Sequence, residues 1–275
     1  MKYRDLTIVI NTFRSSDKIF KCLNSINKKY KVIVIENSND KNFKKILEKK
    51  YKNVKCFLTN QNLGYAKGNN FGLKLVKTKY SLILNPDTIL DLHAINNFFL
   101  RISQINSFSI IAPAYESKRA INKKIFIEVE KVKGFAMFLN MRDILEIGLF
   151  DENFFIYLEE IDLCNRLRKK NKKIFLDSNI KIYHQGGSSH DKIYNFQMEL
   201  SRNWHWMWSN FYYKKKNDNY FFALLYCLKK IFSSSIKFII YLLLFNKNKK
   251  LIYKHRILGL FNAMIGRPSW FRPKI

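Results

Sequence analysis

Between residues 6 and 76, short β-branched runs alternate with segments of helix length, a pattern that predicts a parallel sheet joined by crossover helices. The first strand is expected over residues 6–10, ending at Asn11-Thr12. Ser15, Ser16 and Asp17 then offer caps for a helix on which Ile19, Leu23 and Ile26 share a face. A second strand over 31–35 runs into the turn-rich Glu36-Asn37-Ser38-Asn39-Asp40. A basic helix over 41–50 and a third strand over 54–58 follow. Next comes Asn62-Leu63-Gly64-Tyr65-Ala66-Lys67-Gly68-Asn69-Asn70, read as a loop in front of a helix, with a composition suited to close backbone approach by a ligand. It is not GxGxxG, so no dinucleotide fingerprint is read there.

The apolar run Ser81-Leu82-Ile83-Leu84 stops at Asn85-Pro86 and delivers one carboxylate, Asp87. Pro86 cannot donate to a ladder and turns Asn85 away from helical geometry, so the chain leaves the sheet there. In an open α/β sheet that carboxyl edge is where ligands sit. The alternative is that Asp87 and Thr88 only cap the next helix, expected over 92–105. Further strands are expected over 109–112, 134–139, 174–176 and 180–183, with an extended stretch over 125–132; the last strand delivers His184 to Gln185-Gly186-Gly187-Ser188. Between them lie five acids, Asp151, Glu152, Glu159, Glu160 and Asp162, ahead of a helix reaching about residue 170. In a chain of net charge +29 such a cluster stands out. Acids at a helix start also complement its dipole, but that task is worth only about 0.3–1 kcal/mol.

With 275 residues, 47% of them hydrophobic, the chain can bury one large core and carry an appendage. The division expected is residues 1–190 and residues 191–275. From Asp191 onward the sequence has sixteen Lys or Arg against three acids. Its apolar stretch 221–245 is broken by Lys229, Lys230 and Lys237, which with Lys247 fall in a wedge about 100° wide on a helix. That pattern reads as an interfacial helix on an anionic surface; the alternative is a core helix with one solvated stripe. Cys22, Cys56, Cys164 and Cys227 form no metal-ligand spacing and read as reduced thiols, and the N-terminus reads as lacking a signal peptide. A cytoplasmic protein, peripheral on the inner face of the cell membrane, is expected.

Taken in order, these motifs resemble the family 2 glycosyltransferases, inverting enzymes of the glycosyltransferase-A fold, and in particular a rhamnosyltransferase-like branch. The resemblance runs from residue 6 to residue 188. It is carried by Ile8-Val9-Ile10-Asn11-Thr12, Glu36-Asn37-Ser38, Asn62 to Asn70, Leu84-Asn85-Pro86-Asp87, Gly134, Gly148 to Phe155, Glu159 to Cys164 with Arg166, and His184. It implies an α/β, Rossmann-like, mostly parallel sheet flanked by helices, with a C-terminal helical, membrane-associating extension.

By the same resemblance, Asp87 and His184 are metal ligands for Mg²⁺ or Mn²⁺, and Glu160 is the catalytic base, with Glu159 as the alternative. Thr12, Glu36, Asn62, Gly64, Gly68, Asn69 and Asn85 bind the donor, and Asp151 and Asp162 serve the acceptor or the structure. Where many relatives have Asp-x-Asp this chain has Asn85-Pro86-Asp87, and Glu36 stands where Asp is common. The implied activity is a nucleotide-sugar-dependent glycosyltransferase of hexosyltransferase type. It would move rhamnose or another deoxysugar to a hydroxyl of a lipid-linked glycan in surface polysaccharide synthesis. The competing readings are a non-catalytic basic protein on membrane or nucleic acid, and an inactive transferase homologue. No nucleic-acid module is legible, so no nucleic-acid partner is expected.

Overall fold

In the computed structural model, which describes residues 2–114, 126–184 and 190–273, the alternating first third of the chain forms β1 (Leu6–Thr12), α1 (Ser16–Asn24), β2 (Lys31–Glu36), α2 (Lys41–Lys50), β3 (Val54–Leu58), α3 (Gly64–Lys74) and β4 (Tyr80–Leu84). β1 is the hub of the parallel part: Ile8 pairs with Val32 of β2 on one side and Leu82 of β4 on the other. Buried on both faces, these strands read as continuous apolar runs. α2 starts where Asp40 accepts a hydrogen bond from the Phe43 amide at 2.9 Å, and it turns Phe43 and Leu47 to the core.

Three features differ from the pattern expected of the sequence. Ser15 does not cap α1 with its side chain; its hydroxyl donates to the Phe13 carbonyl. The stretch 62–70 is not a loop throughout, because α3 begins at Gly64. Asp87 and Thr88 do not start a helix, because Thr88 enters β5 (Thr88–Leu90) and α4 (Ala94–Ile102) begins later.

The remaining elements of this unit are β6 (Ile110–Pro113), β7 (Phe126–Glu128), β8 (Ala136–Asn140), α5 (Met141–Ile147), α6 (Glu159–Arg168), β9 (Ile174–Asp177) and β10 (Ile182–His184). Gln185-Gly186-Gly187-Ser188 and residue 125 lie outside the described residues. Among the described residues the main sheet has the order β3-β2-β1-β4-β8-β6-β9-β7, and β8 runs antiparallel to both its neighbours. β5 and β10 pair in a separate antiparallel ribbon, with His184 opposite Thr88. Phe138 on β8 anchors an aromatic cluster, stacked on Phe98 at 4.8 Å and flanked by Tyr80, Phe99 and Phe108.

The chain divides into two compact units, Met1–Asp151 with Glu160–Asp191, and Glu152–Glu159 with Lys192–Ile275. The second unit holds α7 (Asn195–Asn217), α8 (Tyr220–Leu243) and α9 (Lys247–Met264). Backbone meets backbone where α7 and α9 cross: a Cβ on Gly259 would stand 2.2 Å from the Trp204 carbonyl oxygen. Trp204, Met207, Trp208, Phe211, Leu260 and Ala263 fill the core around that crossing.

The short segment Glu152–Glu159 lies against α7. Phe155 stacks on His205 at 4.4 Å, and the Ser209 hydroxyl donates to the Ile156 carbonyl at 2.9 Å. α8 packs on one flank. Its fully buried residues are Ala223, Cys227 and Ser234, with Leu224 and Ile231 partly buried against the same core, while Phe221, Leu225, Leu228, Phe232, Ile236, Ile239 and Leu243 turn outward. A core helix with one solvated stripe is therefore not what forms. Among the described residues no helix is long and apolar enough to cross a membrane.

Candidate functional site

The carboxyl ends of β1, β2 and β4 bring the polar strand ends of the first unit to one edge. Asn11 is the brace between the first two strands and α3. Its amide donates to the carbonyls of Gly64 and Tyr65 at 2.9 and 3.3 Å and accepts from Asn37 Nδ2 at 2.6 Å. The Asn37 carbonyl oxygen in turn accepts from the Thr59 hydroxyl. Gly68 leaves the room for this: a Cβ there would fall 2.6 Å from Asn11 Nδ2. Asn62 accepts from the Gly64 amide and so turns the chain into α3, while Asn69 donates to the Tyr65 carbonyl within the helix and leaves its own buried Oδ1 without a hydrogen-bond partner. Asn11 and Asn37 were not singled out as site residues from the sequence, although Asn11 stands one residue before the end of β1 and Asn37 directly follows β2.

Thr12 and Glu36 are the paired terminal residues of β1 and β2, and both are buried. The Thr12 hydroxyl has no hydrogen-bond partner. The Glu36 carboxylate accepts from the backbone amides of Ser38 at 2.9 Å and Asp40 at 2.7 Å. Each oxygen has a second lone-pair direction, so the turn does not exhaust its accepting capacity.

Residues 85–88 form a β-turn, closed by the Thr88 amide on the Asn85 carbonyl at 3.2 Å, with Pro86 in the position that suits its fixed φ. The Asn85 amide donates to the Phe135 carbonyl at 2.8 Å and ties the turn to the entry of β8. The turn aims Asp87 at His184, whose Nε2 lies 3.3 Å from Asp87 Oδ1 and 3.5 Å from Asn85 Nδ2. The imidazole lies flat on Phe135, with centroids 4.8 Å apart and planes 6° off parallel. Asp87 has only 1% of its side chain exposed, and neither oxygen accepts a hydrogen bond. A carboxylate buried in that state calls for a cation or a proton. His184 and Asp87 together offer one nitrogen and two hard oxygens, a donor set that fits a divalent ion with its other positions on water or ligand oxygens. Among the described residues no group of three or more His, Cys, Asp or Glu converges as a metal cage. Lys18 and Lys21 of α1 line a narrow cleft with Asp87, Thr88 and Ile89. Cys22 also touches this turn, 3.5 Å from the Thr88 hydroxyl, but burial pushes its thiol up to about 12 and keeps it protonated.

The acidic segment separates into different jobs. Asp162 is buried and receives Arg166 Nε at 2.9 Å, while the rest of that guanidinium gathers the carbonyls of Ile147, Gly148 and Leu149. That arrangement fixes α6, through Arg166 in its last turn, to the chain at the end of α5. Asp151 lies at the end of the first unit. Glu160 is partly exposed, and a Cβ on Gly134 would come 3.7 Å from its Cβ, which sets it beside the residue preceding Phe135. The Gly134 carbonyl itself receives the Tyr65 hydroxyl from α3. Glu160, Gly134, Phe135, His184 and Asp87 thus form one connected series in the first unit.

Glu159 is grouped with the second unit and is buried. It follows two residues in left-handed backbone geometry, Tyr157 and Leu158, with φ of 76° and 70°. Burial, with the Glu159 charge adding, raises the Tyr157 phenol to about 12.

A mostly parallel sheet with polar and acidic residues at its carboxyl edge, followed by C-terminal helices, defines a protein of glycosyltransferase-A type. Solved structures share that fold. A mannosyltransferase from Pyrobaculum calidifontis, in complex with GDP-Man and Mn²⁺, superposes with a TM-score of 0.60 at 10% identity, covering 94% of this chain and 87% of that one. GalNAc-T7, with UDP, GalNAc and Mn²⁺, gives 0.57 at 14% identity over 78% of this chain and 52% of that one.

The chain belongs to glycosyl transferase family 2, whose model matches residues 7–158. A low-salt glycan biosynthesis hexosyltransferase, Agl10, of Haloferax volcanii is 25% identical over 198 residues, 62% of this chain and 64% of that protein. A teichoic acid poly(glycerol phosphate) polymerase of Staphylococcus epidermidis is 26% identical over 145 residues, 47% of this chain and 20% of that protein. The chain therefore spans less than two thirds of either relative's length.

Proposed function

We propose that the chain is an inverting glycosyltransferase that moves a sugar from a nucleoside-diphosphate donor to a hydroxyl of a glycan acceptor. The observation that carries this reading is the buried Asp87 carboxylate, without hydrogen bonds, facing His184 at the edge where Glu160 also stands. In the reaction the Glu160 carboxylate takes the acceptor proton as that oxygen bonds to the anomeric carbon from the face opposite the leaving group. The bond from carbon to the diphosphate oxygen breaks, and the diphosphate leaves with the electron pair. Glu159 is the second candidate for that base. Thr12, Glu36, Asn62, Gly64, Gly68, Asn69 and Asn85 hold the nucleotide and sugar, with the Thr12 hydroxyl and the Asn69 carbonyl oxygen free to bond a ligand.

Asp87 and His184 would hold Mg²⁺ or Mn²⁺, which supplies Lewis-acid neutralisation of the departing diphosphate. The Mn²⁺ in the mannosyltransferase and GalNAc-T7 complexes supports that choice of ion by analogy of fold. In its finer form the reading has rhamnose or another deoxysugar as donor group, and a lipid-linked acceptor in surface polysaccharide synthesis. It also has the basic tail resting on an anionic membrane at its cytoplasmic face. The glycan and teichoic acid relatives support a surface polymer as product.

The test is release of nucleoside diphosphate from a panel of hexose and deoxysugar nucleotides with Mn²⁺ or Mg²⁺. Asp87→Ala and Glu160→Gln are each expected to lower turnover about a hundredfold or more. Unimpaired turnover in both would remove these assignments.

A further inference from the structure

Among the described residues, the outward face of α8 exposes a continuous run of large apolar side chains. At about 100° per residue, Phe221, Leu225, Leu228, Phe232, Ile236, Ile239 and Leu243 fall in one stripe along the helix. Each of them is between 41% and 70% exposed. The inner face carries the buried Ala223, Cys227 and Ser234, with Leu224 and Ile231 partly buried beside them. A helix that is already packed on one flank and still exposes seven large apolar side chains on the other leaves a long apolar surface facing water. Contiguous patches of this kind mark interaction or membrane surfaces. Lys229, exposed, lies beside the stripe, and Lys230 and Lys237 lie farther round the helix on the same side. From residue 219 to residue 275 the sequence holds eleven Lys or Arg and no Asp or Glu.

We infer that this face inserts into the hydrocarbon boundary of an anionic lipid bilayer, with the helix lying in the plane of the surface. The inference deepens the membrane part of the proposed function and rests on it only for the choice of a membrane. Charge decides between the two available occupants. A second copy of this chain would bring the same acid-free, basic surface against itself, whereas anionic headgroups complement it. What is new is the source of the affinity: side chains enter hydrocarbon, and the lysines only steer and orient. Three lysines on one side of the stripe and none in it predict shallow burial, with the apolar stripe down and the exposed Lys229 and Lys237 reaching headgroups, while Lys230 donates to Asn210 of α7.

The experiment is co-sedimentation of the full chain with vesicles of about one-third phosphatidylglycerol in phosphatidylcholine, at low salt and at about 0.5 M salt, where exposed charges are screened. No donor or metal is needed, so the outcome is independent of catalysis. Wild type is expected to keep a measurable bound fraction in high salt. Phe232→Glu with Ile236→Glu is expected to lower partitioning about tenfold or more at both salts, since each side chain loses hydrocarbon burial. Lys229→Glu with Lys237→Glu is expected to weaken binding at low salt only. Nucleoside diphosphate release in solution without vesicles is expected to be unchanged in Phe232→Glu with Ile236→Glu. Circular dichroism reports whether that pair folds, and the single Ile239→Glu variant, at a site already exposed, repeats the test if it does not. Complete release of wild type by salt, or equal binding of the folded apolar-face variant, overturns the inference. So does a stable wild-type dimer in light scattering that the variant dissolves while vesicles bind neither protein.

Discussion

Asp87 Oδ1 lies 3.3 Å from Nε2 of His184, and in this buried pair the carboxylate accepts no hydrogen bond. Asp87→Asn is therefore expected to leave thermal stability unchanged or slightly raised when no metal is added, because a buried charge is replaced by a neutral group of equal shape. The same substitution is expected to lower donor turnover about a hundredfold and to abolish any rise in melting temperature that Mn²⁺ produces in the wild type. Thermal melts with and without Mn²⁺, read beside turnover, check both halves.

Gly68→Ala drives a methyl group into the Asn11 amide, which three hydrogen bonds hold in place. The expected cost is about 1–3 kcal/mol of stability, the range for overpacking a filled interior. Urea denaturation measures it. Combining the change with Asn11→Ala should recover part of that loss, since the obstructing side chain is gone.

Arg166→Lys tests the tie between α6 and the end of α5. The guanidinium spans Asp162 and three carbonyls, and a single ammonium cannot reach all four acceptors. A loss of about 2–4 kcal/mol is expected in denaturant, from the carbonyls and the buried Asp162 charge left with poorer partners.

His205 gives the second unit an acid-sensitive step. Burial holds its imidazole neutral in the fold, with a pKa drawn down to about 3 from an ordinary 6.5. Between those values the unfolded chain binds the proton and the folded chain does not, so stability is full above pH 6.5 and falls as the pH drops toward 3. At pH 5 the loss is about 2 kcal/mol, from 1.36 kcal/mol per pH unit. Unfolding of wild type and His205→Gln between pH 7 and about pH 5 checks this, with a flatter profile expected for the variant.

Much of the first unit was legible because local signals agreed with long-range packing. α2 and β3 fall where the turn-rich residues 36–40, the basic run 41–50 and the short apolar run 54–58 put them. The edge of the site was legible too: a strand that stops at Asn85-Pro86 leaves Asp87 outside the sheet whatever follows. The stretch 62–70 misled because its glycines look like breakers, yet Gly68 sits in a helix for the sake of Asn11, a residue far away in sequence. That Thr88 joins β5 rather than a helix depends on β10, which arrives nearly a hundred residues later. α5 carried no clear periodic signal over its short length. For α8, periodicity located the lysines but could not choose which apolar flank faces the protein, because both flanks are apolar.

The two flanks of α8 differ in how they tolerate change. At Ala223, Cys227 and Ser234 the limit is volume, because these positions meet the neighbouring helices and even a valine would wedge them apart. Along the outer stripe the limit is polarity, and Phe, Leu, Ile or Met should interchange freely. A mutational library would then show two kinds of intolerance on one helix, to size on the inner flank and to charge on the outer, where an ordinary surface helix accepts both.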